Sequence, residues 1–237
     1  MQFKTEKKRT GFVSFSGIDG AGKSTQIESL RRRLEEDGVR VRVIPFWDQV
    51  ACFAGLRETT GHKLFKGDKG VGRPEAPINR RDKNVRSRWM TAVRLGLYFA
   101  DAVSLRSVVR KTFSSGADFV ICDRYAYDEL VNLTLYHWWI RAYVRLVMRI
   151  VPRPDVSFLL DADPIQARTR KPEYPLDFLY TCRESYLALS ELAGGMTVIP
   201  PMPVREVERA VILHLSIDDD ERGGKEFPDD QNLGISA

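Results

Sequence analysis

The stretch Gly17 to Thr25, GIDGAGKST, carries the densest chemical signal in the chain. Gly17, Gly22, Lys23 and Ser24 fit the spacing G-x-x-x-x-G-K-[ST]. Glycines at such positions let backbone N–H groups turn inward and approach phosphate oxygens with no Cβ in the way. Lys23 then reaches the outer phosphates, the Ser24 hydroxyl binds Mg²⁺, and a helix beginning after the loop adds its positive end. The candidate nucleotide-binding set is Gly17, Gly20, Ala21, Gly22, Lys23, Ser24 and Thr25.

Such a loop needs an acidic partner for the metal, and FVICDRY supplies Asp123 at the end of an apolar run. Ligands of open α/β sheets collect beyond the carboxyl ends of strands, so Asp123 and Arg124 should face the crevice that holds Lys23. Arg124 would grip a second phosphate bidentately. In LLDADPIQARTRKPEYP, a strand end is followed by Arg168, Arg170 and Lys171. Arginines that close over a moving phosphoryl group stabilise its charge, so residues 164–178 read as a lid, or else as a solvated basic turn. Asp48, in PFWDQ, either positions an acceptor or serves as a turn carboxylate. No Ser-His-Asp set and no metal-ligand cluster is legible.

The elements that must hold these residues follow from the apolar patterning. Strands are expected over 11–16, 41–46, 118–122, 155–161 and 196–200. Helical patterns separate them; the first has Ile27, Leu30 and Leu34 on one face and Gly38 as a stop. Alternating β and α implies a parallel sheet covered on both sides. Residues 57–88 hold ten Lys/Arg against four Asp/Glu and read as a long basic loop, while 218–237 read as a disordered acidic tail after a single domain over 1–217. In LYHWWIRAYVRLVMRIV, Arg141, Arg145 and Arg149 form a stripe on a half-buried helix that is also a candidate dimer face.

The 237 residues are 43% hydrophobic, enough for one α/β core, and no run reaches membrane-spanning length. Three distant cysteines argue against a disulfide framework or a zinc site and for a reducing cytoplasm. The basic N-terminus has no apolar segment after it, so no signal peptide is expected. A net charge of +5 suits a phosphate-rich partner.

The loop, the DRY triplet and the arginine-bearing lid together resemble the thymidylate kinase family of nucleoside monophosphate kinases. The resemblance spans about residues 10–215 and is strongest in FVSFSGIDGAGKSTQIESL, GADFVICDRY, RPDVSFLLDADP and CRESYLALSEL. It implies a three-layer P-loop kinase fold, with five parallel strands ordered 2-3-1-4-5 and a short lid. It also implies ATP on the loop, Mg²⁺ between the substrates and γ-phosphoryl transfer to a nucleoside monophosphate, usually within a homodimer. Neither a membrane nor a nucleic-acid partner is expected. On matching positions, Lys23 and Ser24 serve the ATP phosphates and the metal, and Asp123 supports the metal. Arg124 and Tyr125 join the acceptor site, Asp19 lies near its sugar, and Tyr98 stacks on its base.

The chain departs from the family in four places. Gly20 stands where some members carry a loop arginine, which leaves Arg168 and Arg170 to supply that charge. Ala102 replaces an arginine that reads thymine, Gln49 stands where an arginine binds the acceptor phosphate, and AYDELVNL replaces the usual residues after DRY. Two other readings therefore stand beside a dTMP kinase. One is a kinase of the same fold with another acceptor and Asp48 or Asp128 as base. The other is a nucleotide-binding regulatory or nucleic-acid-associated protein using the basic segment.

Overall fold

A computed structural model describes residues 11–51 and 88–222. The elements run β1 (Gly11–Ser16), α1 (Lys23–Glu36), β2 (Val41–Pro45), α2 (Phe46–Gln49), α3 (Arg88–Ser114) and β3 (Phe119–Asp123). They continue with α4 (Ala126–Leu130), α5 (Trp138–Ile150), β4 (Val156–Leu160), α6 (Pro164–Arg170), α7 (Leu176–Ala193), β5 (Met196–Ile199) and α8 (Val204–Arg222). The strands make one parallel sheet in the order β2-β3-β1-β4-β5, as the sequence implied. The strand limits lie within one residue of those read from the apolar runs.

Strict alternation along the strands divides the core in two. Phe12, Val120, Cys122 and Leu159 face one side, where α3, α4, α5 and α7 cover them with Leu105, Leu130, Val144 and Leu189. Val13, Phe15, Ile121 and Phe158 face the other, beneath Ile27, Leu30 and Leu34 of α1 and Val211 of α8. β1, β3 and β4 thus read as nearly unbroken apolar runs because both of their faces are buried. On α5, Ile140, Val144 and Val147 are buried and the three arginines point outward, so this is the half-buried helix expected.

Two consequences bear on the site. β1 is the central strand, so the loop leaving it at Ser16 lies between the ends of β3 and β4. Asp123 pairs with both Phe15 and Pro45, so it is the last residue of its strand, one beyond the expected limit. At the other end of the chain, α8 continues to Arg222, past the expected boundary at 217, because a helix already formed is extended at little cost even by polar residues. Cys52, residues 57–87 and the tail beyond Arg222 lie outside the described residues. No helix among the described residues is long and apolar enough to cross a membrane.

Phe158 is fully buried and stacks on Phe15 at 5.1 Å between ring centroids. Phe158→Ala is expected to cost about 3–5 kcal/mol of stability through lost burial and the cavity left behind. Urea denaturation measures it, and a loss below about 1 kcal/mol would show that this side of the core is loosely packed.

Candidate active site

The loop between β1 and α1 owes its path to glycine. Gly17, Gly20 and Gly22 have φ of 141°, 83° and 90°, values that side chains disfavour. A Cβ on Gly20 would stand 2.3 Å from the carbonyl oxygen of Ala167 in α6. Position 20 is therefore closed to any side chain in this packing. Gly22 is the N-cap of α1 and supplies no side-chain acceptor, which leaves the first amides of the helix for an anion. Ser24 and Thr25 are exposed on that first turn.

Lys23 is buried and folds back over the loop, donating from Nζ to the carbonyls of Gly17 at 2.8 Å and Ile18 at 2.9 Å. Burial lowers its pKa to about 8, helped by the Arg124 charge and opposed by Asp128, Asp19 and Asp123. Beside it, Arg124 is the one non-glycine residue with positive φ among the described residues, at 70°. Its guanidinium bridges two carboxylates, with Nη2 donating to Asp19 and Nη1 to Asp128 at 3.2 Å. Burial pushes the Asp19 carboxyl up, but Arg124, Lys23 and Lys171 together hold it below the ordinary value. Lys171 Nζ lies 3.9 Å from Asp19 and 3.3 Å from Glu173. Asp123 is half-buried at the adjoining strand end.

Four of the expected residues are placed otherwise. Tyr125 is fully buried rather than in the crevice. The left-handed turn at Arg124 sends the next side chain inward, where its hydroxyl donates to the Pro152 carbonyl. Asp128 does not have the environment of a base, because its buried carboxylate already accepts from Ser16, Arg124, Tyr125 and Tyr186. Arg168 and Arg170 do not act as one pair, since residues two apart on a helix point to different sides. Arg170 donates from Nη1 to the Gly20 carbonyl at 2.9 Å, while Arg168 is half-buried. Asp48 is exposed on α2, and Tyr98 is half-buried on α3, packed against the core.

Other contributors were not read from the sequence. A crevice of about 450 Å³ opens on the far side of the loop, lined by Gly22, Thr25, Gln26, Arg170, Pro201 and Val204. Asp161, Asp163 and Gln166 line it too, so polar and apolar side chains share its walls with one guanidinium. Gln26 donates to the Val204 carbonyl at 3.1 Å and so joins α1 to the start of α8. Arg183 holds Asp161 bidentately at 2.6 and 2.7 Å, steadying the end of β4 beside the crevice. The proline-rich stretch after β5 was the only hint of this wall in the sequence.

Because burial lowers its pKa, Lys23 binds a proton less readily in the folded chain than in the unfolded one. The folded protein therefore gains stability from this residue as pH rises from about 8 toward 10.5, and the penalty is complete below 8. Unfolding of the ligand-free protein and of Lys23→Met across this window tests it. The stability difference between them should move toward the unsubstituted protein with rising pH, and a constant difference would show that Lys23 is solvated.

No family model matches the chain. It is 30% identical over 216 residues to the probable thymidylate kinase of Methanothermobacter thermautotrophicus, covering 87% of this chain and 96% of that relative. It is 27% identical over 203 residues to the probable thymidylate kinase of Methanosphaera stadtmanae, covering 83% and 92%. The thymidylate kinase of Dinoroseobacter shibae is 29% identical over 222 residues, covering 86% and 96%. Among solved structures, the thymidylate kinase of Ehrlichia chaffeensis shares the fold, with a TM-score of 0.55 and 21% identity over 88% of this chain and 99% of that one.

Proposed function

Because this chain belongs to the thymidylate kinase family, we propose that it transfers the γ-phosphoryl group of ATP to dTMP or a close nucleotide relative. The observation that carries the reading is the pairing of a glycine-cradled Lys23 with Arg124 on the neighbouring strand end, each held by charged partners.

In this reading the donor base enters the crevice beside Arg170, and its phosphates lie along the loop and the uncapped start of α1. Lys23 exchanges its two carbonyl partners for phosphate oxygens. Anionic phosphate also stabilises its charged form, which burial alone disfavours. The exposed Ser24 hydroxyl and the half-buried Asp123 carboxylate are oxygen donors suited to Mg²⁺. When bound, that ion neutralises phosphate charge. Arg124 exchanges Asp19 for the acceptor phosphate, freeing Asp19 for the sugar, and Tyr98 stacks on the base. Arg168 meets the charge on the moving group. The exposed side chains Val93, Phe99 and Val103 along α3 support a homodimer. Use of the cellular ATP pool places the reaction in the cytoplasm.

One observation favours the second reading, a different acceptor. Ala102 is 1% exposed within the core, so no side chain at that position reaches a thymine. Specificity must come from elsewhere or be broader.

ADP release measured with dTMP, dUMP, UMP, CMP, GMP and unphosphorylated nucleosides decides among the readings. Strong acceptor dependence is expected for a kinase, whereas slow hydrolysis stimulated by nucleic acid would mark a regulatory protein. Lys23→Ala should abolish transfer in a folded protein. Arg168→Ala should lower kcat by on the order of 10³-fold, while Arg170→Ala chiefly raises KM for ATP. The reverse pattern would exchange their roles.

A further inference from the structure

Asp128 lies beneath Arg124 and is not explained by the roles above. Each of its oxygens accepts two bonds. Oδ2 takes the Ser16 hydroxyl at 2.7 Å and the Tyr125 N–H at 3.0 Å, and Oδ1 takes Arg124 Nη1 at 3.2 Å and the Tyr186 hydroxyl at 2.7 Å. The donors come from β1, from the β3–α4 turn and from α7, so one buried carboxylate ties three parts of the domain together.

Resting on the kinase reading, we propose that Asp128 is the positioning residue for Arg124, clamping its guanidinium and the backbone that follows it so that it faces the acceptor phosphate. Arg124 needs such a clamp. Its left-handed backbone is disfavoured for a side chain and must be held by its surroundings. Its own N–H donates to the Phe15 carbonyl at 3.0 Å, and the next N–H goes to Asp128. At the far end of the side chain, Asp19 is partly exposed and lies on the loop, whereas Asp128 is nearly inaccessible. An entering phosphate can displace Asp19 but not Asp128. Arg124 then keeps one carboxylate and presents its remaining N–H groups outward.

The test is a double-mutant cycle of Asp128→Asn and Arg124→Ala. Asparagine keeps the shape, but its NH₂ must replace one oxygen, and either oxygen serves two donors. Asp128→Asn should lower kcat/KM for the best acceptor of the panel about 10- to 100-fold, with KM for ATP little changed. In the Arg124→Ala background the same substitution should cost less than about 2-fold. Equal losses in both backgrounds would overturn the proposal. If the asparagine variant does not fold, Asp128→Ser enters the same cycle, since its small hydroxyl leaves room for water. Urea denaturation of the four ligand-free proteins gives an independent reading. Non-additive midpoints without any acceptor turnover would uphold the clamp and reject the kinase reading, and additive midpoints would reject the clamp.

Discussion

Lys23 and Arg124 share the carboxyl ends of β1 and β3 with Asp19 and Asp128, largely out of water, and the neighbouring elements keep those charges in balance. A buried cation without a partner costs several kcal/mol, on the order of the whole stability of a small domain. Two adjacent cations would cost more. The carboxylates offset this in the ligand-free protein, and their unequal burial gives them unequal tasks. Asp19 is reachable and can yield to phosphate, whereas Asp128 is enclosed and saturated.

The glycine loop works under a steric constraint that complements the electrostatic one. Gly17 and Gly20 press against the backbone of β4 and α6, where a Cβ would stand 2.5 Å and 2.3 Å from carbonyl oxygens. Contact with α6 and the Arg170 bond to the Gly20 carbonyl attach that helix directly to the glycine loop. A side chain at Gly20 is incompatible with this packing.

In the proposed reading, the described residues account for the two halves of the site unequally. Gly22, Thr25 and Arg170 line the crevice proposed for the donor, beside the uncapped start of α1. For the proposed acceptor, Ala102 belongs to the core and Asp48 and Gln49 stand exposed. Arg124, held between Asp19 and Asp128, is the part of that half whose contacts are well defined.

The sequence by itself determined the fold and the chemistry's centre. Short apolar runs alternating with helical patterns imply a parallel sheet covered on both faces, and the spacing from Gly17 to Ser24 is a local geometric requirement written in consecutive residues. Lys23 was legible from that spacing, and Asp123 and Arg124 from their place at the end of an apolar run. What only the tertiary structure decided depends on contacts across long stretches of chain. Asp128 reads locally as one acid in AYDELVNL, and nothing near it announces the hydroxyl of Tyr186, 58 residues away, or of Ser16, 112 residues away. Tyr125 follows Arg124 in sequence yet turns into the core, because a left-handed residue reverses the side of the chain on which its successor emerges. Arg168 and Arg170 look like a pair in one dimension and diverge on a helix. Local spacing specifies what a backbone can do; which charges meet, and which of them water can still reach, is set by packing.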